Sequence, residues 1–180
     1  MKEVVRMKKF VLGILTVFAW IFEILFGIGA VLSVILAIMS LIPNIQTSIL
    51  KQISSTNNVS GIIFITFCAL LLSALMCIAI CWSINSIRLV IENINDDVYF
   101  DRSNLNLLRS TLVGLSIFTI SDFIESCLMA IARYNLKGRT TLNLDFSNAV
   151  YSLIILGIIY VIYLVFKNGL KLQEESNKII

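Results

Sequence analysis

The chain has 180 residues, of which 58% are hydrophobic and 14% charged, and its mean hydropathy is +0.94. Soluble domains are typically about 45–50% apolar and about 25% charged, so this composition indicates a chain that is solvated by lipid. The sequence contains no histidine, which excludes a Ser-His-Asp triad and every histidine-ligated metal centre. The formal net charge of +3 is too small to indicate direct binding of nucleic acid.

Four apolar stretches are long enough to cross a bilayer, which requires about 20 residues each. They cover residues 10–42, 61–82, 110–132 and 149–166, and a cytoplasmic loop over 83–109 joins the second to the third. Pro43 ends the first stretch, which exceeds the thickness of the hydrocarbon core and must tilt or protrude. The pattern predicts an all-α fold, an integral membrane bundle of four transmembrane helices that forms a single domain over 1–180.

Lysine and arginine are distributed unevenly between the two sides of the predicted bundle. One side carries Lys2, Arg6, Lys8, Lys9, Arg88, Arg102, Arg109, Lys167, Lys171 and Lys178. The other side carries Lys51, Arg133, Lys137 and Arg139. Because cytoplasmic segments are enriched in these residues, the N-terminus and the C-terminus are both expected in the cytoplasm.

Three acidic residues fall inside the predicted spans, where an ionisable side chain costs about 2.5–3.5 kcal/mol or more. They are Glu23, Asp122 and Glu125. The spacing of Asp122 and Glu125 places both on one helix face, and Thr119 and Ser126 extend this polar stripe. We expect the stripe to face other helices or a water-filled cavity rather than lipid.

The role of these acids stays open between three interpretations. We expect Glu23 to be directed at the third span, and burial with mutual repulsion favours the neutral form of at least one acid. The acids are then a proton or cation site, or a hydrogen-bonded polar lock that Tyr160 or Tyr163 completes. Alternatively the helix ends are shifted, and Glu125 reaches the outer interface near Arg133.

Small residues at helical spacing mark two packing ladders on the first span. One flanks Glu23 and consists of Ala19, Gly27 and Ala30; the other consists of Gly29, Ser33 and Ala37. The four cysteines lie within the predicted spans and are expected to pack as small apolar residues.

The segment between the second and third spans has the strongest structural signals outside the membrane. Isoleucines at helical spacing predict that the second helix continues to Ile94 along the inner membrane surface, with Arg88 and Glu92 paired on its polar side. The Asn-Asp-Asp run at 95–97 ends that helix. Asp101 or Ser103 is expected to cap the next one.

Two short motifs on this side resemble those of a known family. The run from Tyr99 and Phe100 through Asn104 to Leu108 and Arg109 resembles an aromatic, then Asn, then Leu-Arg signature. The later run that contains Gly169, Glu174 and Glu175 resembles a glycine followed by Leu-x-Glu-Glu. Both are similar to a bacterial four-span family known as domain of unknown function 2975. The resemblance implies a bacterial cell membrane location and a small helix-turn-helix regulator as partner.

Two functions follow from the sequence. The first is a non-enzymatic regulatory, sensing or immunity-like component that acts through its cytoplasmic face. The alternative is a small proton- or cation-coupled transporter or channel, which would have to form a homo-oligomer or join another membrane subunit. No cofactor or metal is expected, and Asp122 alone cannot form an aspartyl-protease pair.

Overall fold

A computed structural model describes residues 2–43, 59–137 and 147–177. Within these ranges the chain forms four long helices and no strand. They are α1 (Lys2–Met39), α2 (Val59–Asn95), α3 (Arg102–Lys137) and α4 (Ser147–Asn177). Each is long and apolar enough to cross a membrane, which confirms the predicted all-α fold with four membrane-spanning helices.

The helices extend beyond the apolar stretches that predicted them. α2 runs without interruption to Asn95, so its predicted continuation to Ile94 is confirmed. Residues 83–95 are therefore the last turns of α2, and the link between α2 and α3 shrinks from the predicted 83–109 to residues 96–101. We call this short link the connector, and the end of the helices that carries it the connector end.

α1 ends at Met39, a few residues before Pro43. After Met39, the backbone changes to hydrogen bonds between residues three apart. The amides of Leu41 and Ile42 donate to the carbonyls three residues earlier, at 3.1 Å each. Proline disfavours helical geometry in the residue before it, which explains why the helix stops short of Pro43.

The helices pack in chain order, α1 on α2, α2 on α3 and α3 on α4. The buried core consists mainly of small side chains, including Ala37, Ala69, Ala74 and Ala79. The large apolar side chains of α1 and α4 point outward instead. This distribution suits a chain in lipid, where close packing of small residues holds helices together and lipid covers the large ones.

Two close approaches fix the positions of α1 and α3 on α2. Ser33 Oγ lies 3.4 Å from Ser73 Oγ, and a methyl group at Gly29 would lie 3.4 Å from the Cys77 sulfur. This contact uses the second ladder of small residues, whereas a methyl group at Gly27 would meet nothing within 4 Å. The tightest approach is at Gly114 of α3, where a methyl group would lie 3.0 Å from a backbone oxygen of α2.

Candidate functional site

The connector is a short turn with defined backbone hydrogen bonds. The amide of Val98 donates to the carbonyl of Asn93 at 2.9 Å, and that of Asp97 donates to the carbonyl of Ile94 at 3.2 Å. Asp97 has a φ of 61°, so these bonds form a Schellman motif, which satisfies the last carbonyls of α2. Asp101 then caps α3, since its carboxylate accepts a hydrogen bond from the amide of Ser103 at 3.0 Å. This confirms Asp101 rather than Ser103 as the cap.

Asn104 holds the connector against the first turn of α3. Its side chain is 0% exposed, and its amide nitrogen donates to the carbonyls of Val98 and Tyr99, at 2.9 and 2.8 Å. Its amide oxygen accepts a hydrogen bond from the side chain of Asn93 at 2.6 Å. One buried side chain therefore ties together the end of α2, the connector and the start of α3.

The structure brings the two family-like motifs together at the connector end. The ring of Phe100 lies so close to Gly169 of α4 that any side chain there would collide with it. The same ring packs against Phe166 at a centroid distance of 5.6 Å. Next to these rings, the Arg102 guanidinium donates to a carboxylate oxygen of Glu174 at 2.9 Å. The predicted motif residues therefore meet at the connector end, where Phe100 of the connector contacts Gly169 of α4 and Arg102 at the start of α3 pairs with Glu174.

The other motif residues have more varied positions. Leu108 is buried one turn after Asn104, whereas Arg109 is exposed. Among the described residues, Glu175 pairs with Lys171 of its own helix, with 3.8 Å between the charged atoms. Tyr99 is half-exposed, and its hydroxyl donates to the carboxylate of Asp97 at 3.0 Å. Arg109 and Glu175 thus belong to the surface of the connector end rather than to its packed centre.

Glu23 is not directed at α3, so that prediction is wrong. One of its carboxylate oxygens lies 3.6 Å from Nε of Arg88 on α2, and its backbone carbonyl accepts a hydrogen bond from the Cys81 thiol at 3.4 Å. The physical reason is the order of packing, because α2 lies between α1 and α3. The Glu23 carbonyl meets Cys81, two residues before Ser83, whose hydroxyl lies 3.5 Å from the carbonyl of Thr111 on α3. Asp122 is about 16 Å farther along α3 than Thr111.

Arg88 is the centre of a charged cluster that joins α1 to α2. Its guanidinium donates to Glu92 at 3.0 Å and to the side-chain oxygen of Asn85 at 2.7 Å, so the predicted pair with Glu92 is confirmed. It also lies 4.7 Å from the ring centroid of Trp20, within the range of a cation–π contact. With only 15% of its side chain exposed, Arg88 faces inward and contacts α1 through both Trp20 and Glu23.

Asp122 and Glu125 are half-buried on α3, well separated from this cluster. One oxygen of each carboxyl group is buried without a hydrogen-bond partner among the described residues. The orientation of this polar stripe toward other helices or a water-filled cavity stays a prediction.

The rest of the polar stripe contributes little to these acids. Thr119 donates to the carbonyl of Leu115 in its own helix at 2.9 Å, and Ser126 is half-buried nearby. Tyr160 and Tyr163, proposed as partners, stack on each other with centroids 6.2 Å apart. The alternative pairing of Glu125 with Arg133 involves a side chain outside the described set.

Metal binding finds no support in the described part of the chain. No three acidic, cysteine or histidine side chains in it are grouped closely enough to hold an ion. The four cysteines, which the sequence predicted as packing residues, are free thiols in partly buried positions.

Sequence reasoning missed the contacts of Arg88 with α1. The available signal was the i, i+3 spacing of Trp20 and Glu23, which presents an aromatic ring and a carboxylate side by side on one helix face.

No protein-family model, curated protein or solved structure matches the chain. The fold and the two polar regions define a four-helix protein suited to crossing a membrane. Its candidate functional features are the connector end and the carboxyl pair on α3.

Proposed function

We propose that this protein is a non-catalytic, multi-pass component of a bacterial cell membrane, with a regulatory, sensing or immunity-like role. It acts through the connector end, which faces the cytoplasm together with both termini. The observation that carries the proposal is the meeting of two separate motifs at this end, through the contact of Phe100 with Gly169 and the ion pair of Arg102 with Glu174.

The connector has the properties of a recognition surface. Val98, Tyr99 and Phe100 are each between 42% and 43% exposed, although Asn104 holds their backbone in place. Aromatic side chains on a fixed backbone provide contact area at a low cost in conformational entropy, which favours binding to another protein. The resemblance of the motifs favours a small helix-turn-helix regulator as the partner.

The distribution of charge supports the cytoplasmic orientation. The connector end carries Lys9, Arg102, Lys167 and Lys171, all on the side that holds ten of the fourteen basic residues. Basic residues close to the ends of short spans are retained in the cytoplasm.

Photocrosslinking in intact cells tests the proposed contact with a partner. A photoreactive phenylalanine analogue at Tyr99 is expected to form one discrete adduct with a soluble protein. The matched control carries the analogue at Tyr151, which is 66% exposed near the opposite end of α4 and is expected to give no such adduct. The same adduct from both positions, or no protein adduct from Tyr99, would contradict the proposal.

The unpartnered carboxyl oxygens of Asp122 and Glu125 favour a second function, the passage of protons or cations through an assembly of several copies. A double substitution, Asp122→Asn with Glu125→Gln, separates the two functions. Under the main proposal the Tyr99 adduct persists in this variant, and liposomes that contain the native protein show no proton or cation flux. Flux that the native protein supports and the variant abolishes would establish the second function instead.

A further inference from the structure

A groove of about 380 Å³ lies at the connector end, between the start of α3 and the last turns of α4. Its polar lining consists of Arg102, Asn106, Lys167, Asn168, Lys171 and Glu174. The lining thus contains three cations and one acid, together with two side-chain amides that are able to donate hydrogen bonds. This composition favours an anionic ligand.

The positive charge of the groove is only partly neutralised by the protein itself. Glu174 is engaged by Arg102 at 2.9 Å, and Lys171 approaches Glu175 with a longer separation of 3.8 Å. Lys167 forms no ion pair with any residue that the structure describes. The ammonium group of Lys167 is therefore available to an anion that enters the groove, while that of Lys171 is engaged by Glu175 at the longer distance.

The position of the groove identifies the source of this anion. Lys167 directly follows Phe166, the last residue of the fourth apolar stretch, so the groove lies where a helix leaves the hydrocarbon core. Leu105 and Leu170 add apolar surface to the same groove. The phosphates of lipid headgroups lie at this depth of the membrane. Basic pockets between transmembrane helices are known to bind anionic headgroups.

We propose that this groove binds the phosphate of an anionic lipid headgroup. Lys167 and Lys171 provide the charge, Asn106 and Asn168 donate hydrogen bonds, and Leu105 and Leu170 contact the apolar part of the lipid. The inference does not depend on a protein partner at the connector, because Tyr99 does not line the groove.

Native mass spectrometry of the full-length protein in a neutral detergent tests this site. Titration with phosphatidylglycerol is expected to give one saturable bound lipid, with much weaker binding of phosphatidylcholine. The double substitution Lys167→Gln with Lys171→Gln is expected to weaken the binding of this lipid about 25-fold, about fivefold for each ammonium group removed. Changing both lysines to arginine should preserve binding.

A matched double variant, Lys8→Gln with Lys9→Gln, removes the same net charge from α1 and is expected to leave the first binding event unchanged within about twofold, since the described lining of this groove belongs to α3 and α4. Glu174→Gln is expected to strengthen binding, because it removes the one acid of the lining and frees Arg102. Equal loss in the two lysine variants, or no loss in either, would overturn the proposal. Inorganic phosphate that binds and displaces the lipid at similar concentrations would overturn the assignment to a lipid.

Discussion

Gly114→Leu is expected to lower the free energy of unfolding by about 3 kcal/mol, which is at the upper end for an overpacked interior. A side chain at this position would press against Ser83 and against the backbone carbonyl oxygen of Ala79, which lies 3.0 Å from the site of the new Cβ. A backbone atom within a helix cannot move aside as a flexible side chain can, so α2 and α3 would have to separate. Unfolding in a denaturing detergent, followed by the loss of helical circular dichroism, measures the change.

Gly157→Leu on α4 is the matched control for this prediction. It introduces the same side chain at a helical glycine, but a methyl group there would meet nothing within 4 Å. Its effect is expected to stay within about 0.5 kcal/mol. Similar destabilisation by the two substitutions would show that the close approach of α3 to α2 is not what makes Gly114 sensitive.

Asn104→Leu is expected to cost about 3 kcal/mol and to release the connector from α3. The substitution keeps the approximate volume of the side chain but leaves the carbonyls of Val98 and Tyr99 and the side chain of Asn93 without their partner. Each buried group deprived of a hydrogen bond costs about 1–3 kcal/mol, and water near the membrane surface offsets part of this sum. The measurements are detergent unfolding and the rate of proteolysis within residues 96–101, which should increase.

Asn106→Leu provides the comparison for Asn104, since it makes the same change at an exposed position of the same helix. It should leave both stability and proteolysis of the connector nearly unchanged. If Asn104→Leu has no larger effect than Asn106→Leu, the hydrogen bonds of Asn104 do not hold the connector.

Local signals in the sequence were sufficient to predict the four helices and the ends of α2 and α3 at the connector. The apolar stretches predicted all four, and the periodic isoleucines extended α2 to within one residue of its observed end. The turn over 95–97 and the cap at Asp101 follow from hydrogen bonds between near neighbours in the chain. The same holds for the pair of Arg88 with Glu92, which is separated by one helical turn.

The contacts between helices could not be predicted from the sequence. They depend on which helices are neighbours and on which residues of two neighbouring helices lie at the same level along the helix axes. Glu23 illustrates this, since its carboxylate and the small residues beside it were recognised but its partner was misjudged. Because α2 lies between α1 and α3, the Glu23 carboxylate meets Arg88 of α2. The residues of the connector end were recognised as two motifs, but the approach of Phe100 to Gly169 requires the packing of α4 on α3.

Crosslinking within the membrane is the most direct test of the central claim, the meeting of the two motifs at one end of the bundle. Cysteines at Arg102 and Glu174, in a variant without the four native cysteines, are expected to be joined efficiently within one chain by a short bismaleimide. Cysteines at Arg102 and Tyr151 should not be joined, because Tyr151 lies about 35 Å from Glu174 along α4. Failure to join Arg102 to Glu174, or equal joining of both pairs, would contradict the account.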